Sequence, residues 1–104
     1  MQKESDIQRA IIKWLNLQEN TFCWKNHTTG VPIGKTGKFR LNFNKGIADI
    51  VGVKNKRAFA FEVKKEGNKA SDYQRDWLEK FDKAGGYAGI VHSLDEAIDS
   101  FREV

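Results

Sequence analysis

Apolar and polar positions alternate along this chain in three distinguishable rhythms. From residue 4 to 18 the apolar residues Ile7, Ala10, Ile11, Trp14 and Leu15 recur at the spacing of one buried helical face. "TFCWKNH" then has the composition of a short strand. The next stretch, "TTGVPIGKTGKFRLNFNKG", contains four glycines and the chain's single proline. Its pattern is too loose for a helix and predicts an extended hairpin or loop. "GIADIVGVKNKRAFAFEVKK" reads as two apolar strands around a short charged turn. Residues 72 to 84 predict a second helix, with Tyr73, Trp77, Leu78, Phe81 and Ala84 on one face. "GGYAGIVHS" predicts a further core strand, and "SLDEAIDSFREV" a last helix with Ser93 and Glu96 at capping-box spacing. The resulting order is α-β-β-β-α-β-α with room for a fourth strand in the glycine-rich stretch. "KKEGNKA" is a polar linker before the second helix, and no internal repeat, low-complexity tract or domain linker interrupts the order.

The hairpin raises a chemical question. A turn centred on Asn55 and Lys56 pairs residues whose numbers sum to 111. Val53 then faces Ala58, Val51 faces Ala60, and Asp49 faces Glu62. On the opposite side Gly52 meets Phe59, Ile50 meets Phe61 and Ala48 meets Val63. Both sides are apolar near the turn, which predicts a hairpin central to the sheet. One side changes character at Asp49 and Glu62, and Lys64 follows on that same side two residues on. Directly opposed side chains have Cβ atoms roughly 4.5–5.5 Å apart, and like charges so placed repel. A divalent cation explains two carboxylates there, since hard oxygen ligands suit Mg²⁺ or Mn²⁺. Lys64 would add a positive charge for a water or a phosphate oxygen. Together these groups can polarise a phosphate, activate a water and stabilise transition-state charge. The alternative is that both acids lie at frayed strand ends and pair with nearby lysines. A register slip of one residue would part them onto opposite faces.

Bulk properties narrow the classes. With 104 residues the chain has the length of one domain, expected to span 1–104. At 39% hydrophobic and 31% charged it should be globular. It has neither a long apolar run nor an apolar signal core, so a membrane partner is not expected and a cytoplasmic location is. Cys23 is the single cysteine, which excludes an internal disulfide and a cysteine-rich zinc site. Eighteen basic against fourteen acidic residues give a net charge of +4, which favours a polyanionic partner.

An Asp, a gap, then Glu-x-Lys resembles the signature of the PD-(D/E)XK nuclease superfamily. With their surroundings, "GIADIVGV", "FAFEVKKEGNKASDYQRDW" and "AGGYAGIVHSLDEAI" resemble its VRR-NUC branch in minimal stand-alone form. The likeness runs from Glu4 to the last helix. It implies an α/β, restriction-endonuclease-like fold with a central mixed sheet flanked by helices. It also implies a Mg²⁺- or Mn²⁺-dependent endonuclease acting on DNA, in which water attacks phosphorus in line and releases the 3′ oxygen. By motif position, Asp49 and Glu62 match the metal-binding acids, the Val63 carbonyl a further ligand, and Lys64 the catalytic lysine. Gln74 matches a glutamine on the following helix, and Glu4 an acid of the first helix. Ala48 stands where the motif has proline, a small departure because the carboxylate is the working group. The stand-alone form further implies a homodimer that cuts four-way (Holliday) junctions or other branched DNA, and a phage or prophage origin.

Several of these residues have plainer readings. Gln74 completes a Ser-x-x-Gln capping box with Ser71. Glu4 is an acid in a first helical turn, where the helix dipole favours one. His27 could contact phosphate or move a proton but is read as structural or solvated, and His92 as structural; Trp14 and Trp77 are read as core, and Trp24 as core over a base-stacking surface. Lys35, Lys38, Arg40 and Lys45 are the candidates for contact with the DNA backbone, against the reading of a solvated face. Two alternatives to the nuclease stand: a non-catalytic DNA-binding module and a structural subunit, each using the same fold.

Overall fold

The computed structural model describes residues 2–26, 31–33, 38–40 and 46–104, the two short segments by their backbone. The elements are α1 (Glu4–Leu15), β1 (Thr21–Lys25), β2 (Val31–Ile33), β3 (Lys38–Arg40), β4 (Ile50–Lys54), β5 (Arg57–Val63), α2 (Asp72–Lys83), β6 (Tyr87–Val91) and α3 (Leu94–Phe101). Strands β1, β4, β5 and β6 form one mixed sheet in that order, and β2 pairs with β3 in a separate two-stranded ribbon. The main sheet with its helices reproduces the expected α-β-β-β-α-β-α order, and the ribbon is the hairpin foreseen in the glycine-rich stretch.

The β4–β5 register follows the sum of 111, with Ile50 opposite Phe61, Val51 opposite Ala60 and Val53 opposite Ala58. The two-residue turn is what fixes it. Asn55 and Lys56 both have positive φ, 48° and 72°, the conformation whose twist matches that of the flanking strands. Gly52 also has a steric reason: a Cβ there would lie 2.6 Å from Phe59 Cζ and from Cys23 Cβ. These strands are central because both faces are covered. On one face α1 and α3 bury Ile7, Ile11, Leu15, Cys23, Ile50, Phe59, Phe61, Val63, Val91 and Phe101. On the other, α2 brings Leu78, with Trp77 and Phe81, onto Ala48, Ala60 and Val51. Burying each large apolar side chain contributes about 1.5–3 kcal/mol, which holds the layers together.

Four expectations need correction. Helix α1 stops at Leu15, not residue 18, because Asn16 turns its side chain to Cys23: its Oδ1 accepts from the Cys23 N–H and its Nδ2 donates to the Cys23 carbonyl. Strand β6, expected as a core strand, is core only in part: it runs parallel to β5 at the edge of the sheet, with Val91 buried and Ile90 exposed. On α2, Tyr73 and Ala84 are exposed, since the covered stripe is narrower than the apolar spacing suggested. Trp24 is not core either. It is 44% exposed, lies 5.7 Å from the Phe22 ring and is paired with Val51, on the edge strand β1, while α2 packs chiefly on β5 and β6.

Candidate active site

Strand β4 ends one residue short of Asp49, and this ending builds the site. The ladder with β5 stops at the Ile50–Phe61 pair, so the next β5 amide needs another acceptor. The Asp49 side chain provides it: its Oδ2 accepts from the Val63 N–H at 2.9 Å. The Asp49 carbonyl accepts from the Asn26 N–H at 2.7 Å. Asp49 is therefore clamped on both sides, its backbone by the end of β1 and its carboxylate by β5. Behind it, Gly46 passes so close to the first turn of α2 that a Cβ would stand 2.3 Å from the Tyr73 carbonyl oxygen, and its φ is +83°. Only glycine brings the chain into β4 by this route.

Glu62 is the exceptional group. It is 1% exposed, and its Oε2 is buried with no hydrogen-bond partner among the described residues. The Asp49 side chain acts on it both as a hydrogen-bond partner and as a like charge. Burial, then the hydrogen bond to Asp49 and its charge, push the Glu62 carboxyl up to about 9; Lys64 opposes the rise and Glu4 adds to it. A buried acid with an orphaned oxygen costs free energy unless something pairs with it.

Glu4 completes the acidic side. Its Oε1 accepts from the Lys65 N–H and from Asn68 Nδ2, both at 3.2 Å. Burial works against its charge, but these hydrogen bonds and the charges of Lys64 and Lys65 outweigh it and hold the carboxyl below its ordinary value. The helix thus carries Glu4 to the end of β5, close enough to feel Lys64 and to act on Glu62. The start of the β5–α2 connection is fixed in turn, since the Lys64 N–H donates to the Val91 carbonyl on β6.

Asp49, Glu62, Val63, Lys64 and Glu4 are therefore brought together. Gln74 is committed elsewhere: its Oε1 accepts from the Ser71 N–H at 2.8 Å and its own N–H donates to Ser71 Oγ. Lys35, Lys45 and His27 lie outside the described residues. Lys38 and Arg40 fall in β3, which is described by its backbone. Sequence reasoning missed Asn26, Lys65 and Asn68, which hold the acids through backbone or amide groups and carry no motif. It also missed Gln8, one helical turn beyond Glu4 and 8% exposed. Its Oε1 and Asn26 Nδ2 join Glu62 Oε2 as the three buried side-chain polar atoms without a partner among the described residues.

The donor set fits a divalent metal. Two carboxyls meet, one oxygen is orphaned, and a hard cation would satisfy that oxygen while removing the repulsion. The VRR-NUC domain model matches residues 2–95. The chain belongs to the VRR-NUC family. A solved VRR_NUC domain protein superposes on this fold with a TM-score of 0.68 at 18% identity, covering 97% of this chain and 86% of that one. No curated protein matches the VRR-NUC chain described here. Family and structural neighbour together establish an α/β nuclease-type fold.

Proposed function

We propose that this VRR-NUC protein is a Mg²⁺- or Mn²⁺-dependent endonuclease that hydrolyses DNA phosphodiester bonds. The observation that carries the proposal is the buried Glu62 carboxyl, which feels Asp49 and has an oxygen without a partner among the described residues. A fold that only bound DNA would gain nothing from two such acids, which repel phosphate. Asp49, Glu62 and the Val63 carbonyl would hold the ion, with Glu4 beside them. When bound, the ion supplies Lewis acidity and a lowered water pKa. Asp49 is held for this task by Asn26 and Val63, so its carboxylate needs little reorganisation. Lys64 brings positive charge to the attacking water or the scissile phosphate, and in-line attack releases the 3′ oxygen. Lys35, Lys38, Arg40 and Lys45 would contact the DNA backbone.

One acid-acid-lysine set cuts one strand at a time, so paired cuts need two sites in fixed relation. A two-fold homodimer supplies them. The exposed Phe22, Trp24 and Val53 on the β1 side of the sheet are the apolar surface such a dimer would bury. The preferred substrate is then a four-way junction or other branched DNA. Purified protein with Mg²⁺, Mn²⁺ or EDTA, incubated with single-stranded, duplex, flap and four-way junction DNA, tests this. Metal-dependent cleavage strongest on the junction is expected, with light scattering near twice 11.9 kDa. Binding without cleavage under every metal condition would favour the non-catalytic module. A monomer cutting duplex and junction equally would remove the resolvase reading and leave the nuclease.

A further inference from the structure

The parallel pairing of β5 with β6 has a second product beyond the acidic pair. Val63 is paired with Val91, so the chain leaving β5 and the chain leaving β6 emerge side by side. Glu66 lies three residues past the end of β5 and His92 one residue past the end of β6. Glu96 follows four residues after His92, in the first turn of α3, where the Ser93 hydroxyl accepts from its N–H. The capping box expected of Ser93 and Glu96 is thus made on the serine side, while the Glu96 carboxylate turns to the imidazole: His92 Nδ1 and Glu96 Oε1 are 3.0 Å apart. One donor atom from each of Glu66, His92 and Glu96 lies within 4.8 Å of the other two.

We propose that Glu66, His92 and Glu96 form a second metal site, selective for a borderline divalent ion such as Zn²⁺ or Co²⁺ rather than Mg²⁺. The argument is one of donor chemistry and reach. An imidazole nitrogen with carboxylates suits Zn²⁺ and its neighbours, while Mg²⁺ prefers oxygen alone. Metal–donor bonds of about 2.1 Å in a tetrahedron put donors about 3.4 Å apart. The His92–Glu96 pair already has nearly that spacing, and the widest separation needs to close by little more than an ångström. The side chains of His92 and Glu96 are 29% and 47% exposed, which leaves them room to move and an ion a path from solvent. The partial positive charge of about +0.5 at the start of α3 opposes a cation there, but two carboxylates exceed it fourfold. Three protein ligands leave a fourth position for water. An ion so held would tie the β5–α2 connection, which begins at Lys64, to the start of α3. This inference does not rest on the nuclease reading.

The test separates the two sites. The double variant Asp49→Asn/Glu62→Gln removes the hard-oxygen set and is titrated with Co²⁺, followed by its visible spectrum, and with Zn²⁺ by calorimetry, both in excess Mg²⁺. One ion per chain is expected, with the intense d–d bands of a low-coordinate Co²⁺ site. Zn²⁺ should also shift the His92 ring resonances in the NMR spectrum of the otherwise unaltered protein. Adding His92→Ala to the double variant should weaken Zn²⁺ binding about tenfold or more, and Glu66→Gln should weaken it less. Equal Zn²⁺ affinity with and without His92, unmoved His92 resonances, or no binding to the double variant would each overturn the site. A circular dichroism spectrum matching the parent protein confirms that each variant folds.

Discussion

Glu62 and Glu96 both lie toward the carboxyl ends of the parallel strands β5 and β6, yet the chain treats them in opposite ways. Glu62 is sealed in the sheet, feels the Asp49 carboxyl and has an oxygen with no partner among the described residues. Glu96 stands at the surface with the His92 imidazole at 3.0 Å. The surface pair is locally satisfied: its contact holds the His92 pKa above its ordinary value, chiefly through the Glu96 hydrogen bond. In the buried pair the Asp49 carboxylate accepts from the Val63 N–H, but Glu62 Oε2 has no partner among the described residues. A protein does not gain stability from such an arrangement, because desolvating a charge costs more than proximity to another carboxylate can return. The contrast teaches that a charged cluster signals chemistry most strongly where the fold has left it uncompensated.

The comparison breaks most sharply on activity. Asp49→Asn and Glu62→Gln should each reduce Mg²⁺-dependent cleavage by about a thousandfold or more, measured as single-turnover rates, with the fold intact. Cleavage at parental rates in either variant would reduce the buried pair to a structural feature. Next in size is Lys64→Ala. Its turnover should fall roughly a hundredfold while calorimetric Mg²⁺ or Mn²⁺ binding survives, because lysine contributes charge and no metal ligand. Loss of metal binding in that variant would assign Lys64 to shaping the site instead.

Stability should separate the clusters by pH. In the absence of metal the folded Glu62 carboxyl is raised to about 9 from an ordinary 4.5. Its contribution is therefore fully present below about pH 4.5 and is lost as pH rises toward 9. Urea midpoints of the metal-free protein should fall across that window. Glu62→Gln should flatten the decline and add on the order of 1 kcal/mol at pH 8, well below the ideal linkage value because relaxation and screening absorb much of it. A metal-free Glu62→Gln variant clearly less stable than its parent would point to a structural ion pair. Of similar size, Ser71→Ala should cost about 1 kcal/mol by opening the cap that occupies Gln74. If Gln74→Ala lowers cleavage at a temperature where both cap variants remain folded and Ser71→Ala does not, Gln74 serves the site as well. The smallest effect concerns the ribbon. Neutralising two of Lys35, Lys38, Arg40 and Lys45 should lower the log–log salt slope of DNA binding by roughly 0.9 per lost phosphate contact, measured by fluorescence anisotropy.

The hairpin was legible from sequence because its determinants are local. Asn55 and Lys56 set a two-residue turn, alternation set the faces, and once the register was assigned the meeting of Asp49 with Glu62 followed from counting. Helix spacing likewise located α1, α2 and α3 to within a few residues. Spacing also put Lys64 on the acidic side of the hairpin, and the family resemblance added the roles expected of Val63 and Glu4. Three things came only from tertiary structure. Glu4 meets Lys65 and Asn68 across more than sixty residues, because α1 packs on the sheet with its first turn at the end of β5. Trp24 is exposed because it lies on the edge strand β1 while α2 packs chiefly on β5 and β6, an arrangement that no local pattern encodes. Glu66 and His92 become neighbours because β5 and β6 run parallel with Val63 beside Val91, and a parallel crossover joins strand ends that are distant in the chain. Sequence determined what each segment is. Which charged groups share a strand end was decided by the order and direction in which the strands pair.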